Sequence, residues 1–186
     1  MAIEKENTIF YHEDYYKQIE LIPENNFFSI HKELNNIQPA NNSVNGYFQI
    51  IERNEATIRT ESLALRIDPI AEELAPITLR FFERVTTGYG TSVSVKKNTI
   101  AFGFERIALF FEQLDSGIVK NIWLTQSTLL HKQSSCNNLF QALTILSNYN
   151  LILVDWNEEL VIRLSNPNAI RAYLQNAFLF NFPSGV

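Results

Sequence analysis

Apolar residues along this chain alternate with polar ones in short runs, and the runs are broken by polar turns. The pairs Thr8–Tyr11 and Tyr16–Leu21, separated by His12-Glu13-Asp14, read as two strands of a hairpin that Pro23 ends. A helix is predicted from about Glu24 to Asn36, because Phe27, Ile30, His31 and Leu34 recur at one helical face. The Asn-rich segment from Gln38 to Gly46 reads as a loop, and Tyr47–Arg53 as a strand. Asp68-Pro69 resembles a helix start, and Ile70, Leu74, Ile77 and Phe81 mark the buried stripe of that helix, kinked at Pro76. Gly88-Tyr89-Gly90 is expected to end this unit.

A meander is predicted next. Thr91–Val95 and Thr99–Phe104 flank Lys96-Lys97-Asn98, Glu105-Arg106 turns into Ile107–Glu112, and Asp115-Ser116-Gly117 turns into Ile118–Thr125. Leu139, Ala142, Leu143 and Leu146 form the inner face of a helix that Ser135 can cap. Leu151–Trp156 and Leu160–Leu164 make a hairpin around Asn157-Glu158-Glu159, and Asn166-Pro167 opens a last helix carrying Ile170, Tyr173, Leu174 and Ala177. Short turns favour antiparallel pairing, and the helices come as separate blocks. The expected fold is α+β, a central antiparallel sheet built from hairpins and a meander and covered by helices on one face. A length of 186 residues fits one domain, with a compact core over 8–177 and a C-terminal tail over 178–186.

Composition narrows the function classes. The chain is 46% hydrophobic and 19% charged, with 14 Phe to fill a core. Its net charge of −5 and lack of a basic cluster disfavour nucleic acid and suit a basic protein partner. A single cysteine, Cys136, rules out an intrachain disulfide. The polar N-terminus lacks a signal-peptide pattern, and apolar runs such as Ile107–Phe111 fall far short of the ~18 residues of a membrane span. A cytoplasmic protein with no membrane partner is expected.

No catalytic constellation stands out. Phosphate loops, nucleophile elbows, zinc spacings and dinucleotide fingerprints are missing, and 6 glycines leave little room for one; no cofactor and no metal is expected. His12-Glu13-Asp14 is the tightest metal-capable cluster, but adjacent side chains splay apart, and a polar turn explains it. His31 on its apolar stripe reads as a buried neutral histidine rather than a base, and Cys136 as a small core residue rather than a nucleophile. Thr86-Thr87-Gly88-Tyr89-Gly90 matches a potassium-filter string without the membrane helices a filter needs. Tyr89 at such a turn can anchor a contact. Asp155 interrupts an apolar strand, and pairing with Arg163 on the returning strand is its structural explanation. Its functional reading joins Asp155, Trp156, Glu158 and Glu159 into an acidic, aromatic-tipped patch. Glu13, Asp14 and Asp115, on their own polar turns, complete the candidate partner-binding set. A glycosidase-like carboxylate pair is conceivable from the same residues, but no sugar-binding aromatic array accompanies it.

Five strings occur in succession: Phe10-Tyr-His-Glu-Asp-Tyr-Tyr-Lys-Gln-Ile-Glu-Leu-Ile-Pro23, Gly88-Tyr89, Ala101-Phe-Gly-Phe-Glu105, Gly117-Ile-Val-Lys-Asn-Ile-Trp123 and Leu151-Ile-Leu-Val-Asp-Trp-Asn157. From about Thr8 to Leu174 the chain thereby resembles bacterial immunity proteins of polymorphic toxin systems, in particular the immunity protein 51 family. The resemblance implies a protein that binds and neutralises a cognate toxin acting in the cytoplasm, by blocking its active site and with no catalysis of its own. The alternatives are a small-ligand or adaptor module, or an enzyme with a carboxylate site.

Overall fold

The computed structural model describes residues 7–36, 58–126 and 137–178. Among them run ten strands and four α-helices. In chain order these are β1 (Thr8–His12), β2 (Ile19–Pro23), α1 (Phe27–Asn36), α2 (Ile67–Leu74), β3 (Arg80–Phe82), β4 (Arg84–Tyr89), β5 (Ser92–Lys96), β6 (Thr99–Phe104), β7 (Ile107–Gln113), β8 (Val119–Gln126), α3 (Asn137–Leu146), β9 (Leu151–Asp155), β10 (Leu160–Arg163) and α4 (Pro167–Phe178). Seven strands pair antiparallel in the order β10-β9-β2-β8-β7-β6-β3, and β1-β4-β5 form a separate three-stranded sheet. The fold is α+β around a central antiparallel sheet.

The middle strands of the large sheet are apolar on both faces, because both faces are covered. In β7, Ile107, Leu109 and Phe111 point into a core shared with α2, α3 and α4. Ala108 and Phe110, between them, point the other way, against Trp123, Ile9, Tyr11 and Val85. The β9 side chains divide in the same manner: Leu151 and Leu153 join the helical core, whereas Ile152 and Val154 pack on Ile30 and Leu34 of α1. Three helices thus cover one face, while α1 and the small sheet share the other.

Local patterning located the β6–β7, β7–β8 and β9–β10 hairpins, whose pairings are all present. The turn residues fit: Gly117 has φ +77° and Glu159 φ +53°. The inner faces predicted for α3 and α4 are buried at Leu139, Ala142, Leu143, Leu146, Ile170, Tyr173 and Leu174.

Several expectations are corrected. The β1 and β2 strands do not form a hairpin. Instead β1 runs parallel to β4, Phe10 beside Thr86, and β2 inserts between β8 and β9. Packing explains this, since Tyr11 lands 5.2 Å from Phe110 and 5.5 Å from Trp123, ring to ring. Nor do β5 and β6 pair; Lys97 and Asn98 carry the chain from the small sheet to the large one, and β5 pairs with β4. The Gly88-Tyr89-Gly90 segment ends no helix: Gly88 and Tyr89 belong to β4, and a Cβ at Gly88 would collide with the Ser92 carbonyl. Helix α2 stops at Leu74, short of Pro76, so it is not kinked, and Phe81 lies on β3. Its N-cap is Arg66, with Asp68 in the first turn. His31 is exposed rather than buried; its Nδ1 meets the Asn35 amide at 2.9 Å. Tyr47–Arg53, the Gln38–Gly46 loop, Ser135, His131, Cys136 and the tail beyond Phe178 lie outside the described residues.

Candidate functional site

Two places gather ionisable groups on the far face and at its end. The first is the seam between the sheets. Glu112, next to last in β7, lies beside Asn121 of β8, and both face the small sheet. The Tyr16 hydroxyl donates to Glu112 Oε2 at 2.9 Å and the Asn121 amide donates at 2.7 Å. Lys96 of β5 and Lys120 of β8 approach Oε1 at 3.7 and 3.6 Å. Burial by itself would raise the Glu112 pKa. The hydrogen bonds from Asn121 and Tyr16 and the two lysine charges outweigh it, so the carboxyl titrates below its ordinary value. Burial, then the hydrogen bond to Glu112, pushes the Tyr16 phenol far up.

A groove of ≈ 420 Å³ opens beside this cluster, between α1 and the seam. Its charges come in pairs: Lys17 lies 3.8 Å from Glu20, and Arg59 4.0 Å from Glu61. Glu20 also accepts the Trp156 indole N–H at 2.9 Å. The Ile22 and Ile30 side chains supply its apolar wall.

The second place is the end of the molecule where β2 begins and β9 stops, for Ile19 faces both Leu124 and Asp155. Asp155 is 1% exposed. Its Oδ2 accepts the Tyr173 hydroxyl at 2.6 Å, and its Oδ1 accepts the backbone N–H groups of Asn157 and Glu158 at 3.0 and 3.1 Å. The expected partner Arg163 is not its partner. Register sets Asp155 opposite Leu160 and Arg163 opposite Ile152, and Arg163 instead reaches Glu24 at 3.3 Å. Asp155 therefore offers no surface to a partner. It holds the turn that presents Glu158 and Glu159 to solvent. Burial, then the Asp155 charge, pushes the Tyr173 phenol far up, so it remains a donor.

Neighbouring contacts bring most of the predicted residues to this end. The Trp156 N–H donates to the Gln18 carbonyl at 2.9 Å, and the Gln18 side chain donates to the Asp14 carbonyl at 3.0 Å. From the same short turn His12 lies 5.2 Å from Tyr89 and 5.9 Å from Tyr15, ring to ring. Glu13, Asp14, Tyr89, Trp156, Glu158 and Glu159 thus share one region. Tyr89 is 62% exposed and Tyr15, which sequence reasoning passed over, is 53% exposed. Asp115 sits at the opposite end, in the β7–β8 turn, where it accepts the Asn98 amide at 2.6 Å. Among the described residues no three His, Cys, Asp or Glu side chains are grouped to hold a metal ion. No described helix is long and apolar enough to cross a membrane.

Tyr16, Glu112 and Asn121 were also missed. Tyr16 and Glu112 are 96 positions apart, and no local signal joins them. Glu20, a carboxylate inside the apolar run Ile19–Pro23, was the one readable sign that the far face carries a polar groove. No protein family, curated protein or solved structure matches this chain.

Proposed function

We propose that this chain is an immunity protein: it binds a basic, cytoplasm-acting bacterial toxin domain and covers that domain's active site, making and breaking no bond itself. One observation supports this reading most. Exposed Tyr15 and Tyr89 stand at the same end as Glu13, Asp14, Glu158 and Glu159. Exposed aromatic rings and carboxylates at one end suit a cationic protein surface, with the rings supplying contact area and the charges speeding encounter. Asp155 and Trp156 serve the interface from behind by holding the acidic turn in place.

The test is complex formation with the domain encoded by the adjacent toxin gene. Co-elution on size exclusion and a nanomolar dissociation constant are expected; separate elution of the two proteins contradicts the reading. A second reading, a small-ligand module, draws on the ≈ 420 Å³ groove. A thermal-shift screen of small polar metabolites that stabilises the protein, with loss of the shift in Lys120→Ala, would favour it.

A further inference from the structure

We propose that the outer edge of β5 pairs with the same edge of a second copy of this chain, about a two-fold axis at Ser94, fusing two three-stranded sheets into one. This goes beyond toxin binding.

The small sheet has the order β1-β4-β5, so β5 is an edge, and among the described residues no strand pairs with its outer side. An antiparallel ladder turns alternate residues toward and away from the neighbouring strand, which leaves a row of backbone amides and carbonyls on the open side. Edges in soluble proteins are commonly guarded by an outward lysine, a proline or a bulge. Within β5 itself none of these guards stands outward; the exposed Lys97 follows its last residue. Residues Ser92 to Val95 carry no charge, and Lys96 turns inward, its Nζ 3.7 Å from Glu112 and 4.7 Å above the Tyr16 ring. Both valines face solvent, Val93 at 63% and Val95 at 50% exposed.

The sequence of the edge selects a second copy as occupant. Val93-Ser94-Val95 reads the same in both directions, so an antiparallel pairing centred on Ser94 sets each Val93 opposite the partner's Val95 and each Ser94 opposite itself. Lys96 then faces a serine and Lys97 a threonine, so no like charges are opposed. The basic end of each strand also points toward the end of the other copy that carries Glu13 and Asp14, since His12 lies beside Gly88 near the β4–β5 turn. Gly88 and Thr86 are the β4 neighbours of Val93 and Val95, and Phe10, 39% exposed, pairs with Thr86 on the same face. Pairing would gather four valines at the centre of a continuous face flanked by the two Phe10 rings.

Sedimentation of the full chain from about 1 µM to about 1 mM spans the affinities expected of one short strand pair. A concentration-dependent dimer is expected, and V93K with V95K should weaken it at least tenfold. Register is read separately. Opposed Cα atoms in an antiparallel pair lie about 4.5–5.5 Å apart, within disulfide reach. S94C should therefore oxidise to a dimer joined at position 94 to its own counterpart, mapped by peptide mass spectrometry, whereas T91C should not link to itself. A monomer at every concentration overturns the proposal. So does a dimer indifferent to the valine changes, or one in which S94C fails to cross-link.

Discussion

Glu112 and Glu158 are carboxylates of the same large-sheet region, yet their surroundings put them to opposite uses. Glu112 lies between the two sheets with a tyrosine, an asparagine and two lysines directed at it. Glu158 stands in solvent at a hairpin tip, its own N–H held by buried Asp155. The seam consumes its charges internally, so it binds the small sheet to the large one. The acidic end turns Glu158 and Glu159 to solvent from a turn that buried Asp155 holds, with Asp14 lying 3.3 Å from His12 Nδ1. An ionisable cluster is thus a structural feature where each charge meets its opposite, and a recognition surface where the carboxylates face water together.

The largest effect should come from removing the apolar base of the seam. Trp123 is fully buried and stacks on Phe110 at 5.2 Å with the rings 8° from parallel. Trp123→Ala should cost ~3–5 kcal/mol, read by denaturant unfolding, with the small sheet losing amide-exchange protection first. At the acidic end, Asp155→Ala leaves the Tyr173 hydroxyl and two turn amides without their acceptor, a loss of ~2–3 kcal/mol. The same change should loosen the 157–159 turn in NMR relaxation while the seam stays unchanged, which separates the two regions directly.

The Asp155–Tyr173 contact was not legible along the chain, whereas Trp123 and Phe110 oppose each other inside the β7–β8 hairpin that was. The β6–β7–β8 meander, the β9–β10 hairpin, α3 and α4 could be read because their partners are near in sequence and their periodicity is clear. The β1–β4 pair joins segments more than 70 positions apart in parallel, whereas loop-closure entropy favours a hairpin between neighbouring strands. The sequence shows Asp155 as a carboxylate in an apolar strand that needs a partner. Its partner came from α4, because register places Arg163 three rungs away, and strand patterning does not report what a helix brings across. His31 shows the limit of periodicity at the border of a stripe: Ile30 and Leu34 are buried and His31, one position round, is not.

A smaller effect, with a pH signature, is expected at Glu112. Its folded pKa lies below the unfolded value of about 4.5. A depressed carboxyl contributes stability that is fully present above the unfolded pKa and is lost as pH falls through the folded one. Glu112→Gln should therefore cost ~1–2 kcal/mol at neutral pH. Its stability should also fall less steeply than that of the wild type below pH 4.5, as read by urea midpoints across the acid range. An equally steep acid limb in the variant would remove Glu112 from the seam's stabilising role.

The smallest effect on stability belongs to the acidic turn. Reversing Glu158 and Glu159 to lysine should shift the unfolding free energy by no more than about 0.5 kcal/mol, since both face solvent. Binding should respond where stability does not. The most direct test is the association rate of the adjacent-gene toxin domain with the wild type and with the Glu158→Lys, Glu159→Lys variant, at low and high salt. A salt-sensitive on-rate that falls roughly tenfold in the variant at low salt is expected. An unchanged on-rate, or no complex with the wild type, would contradict it.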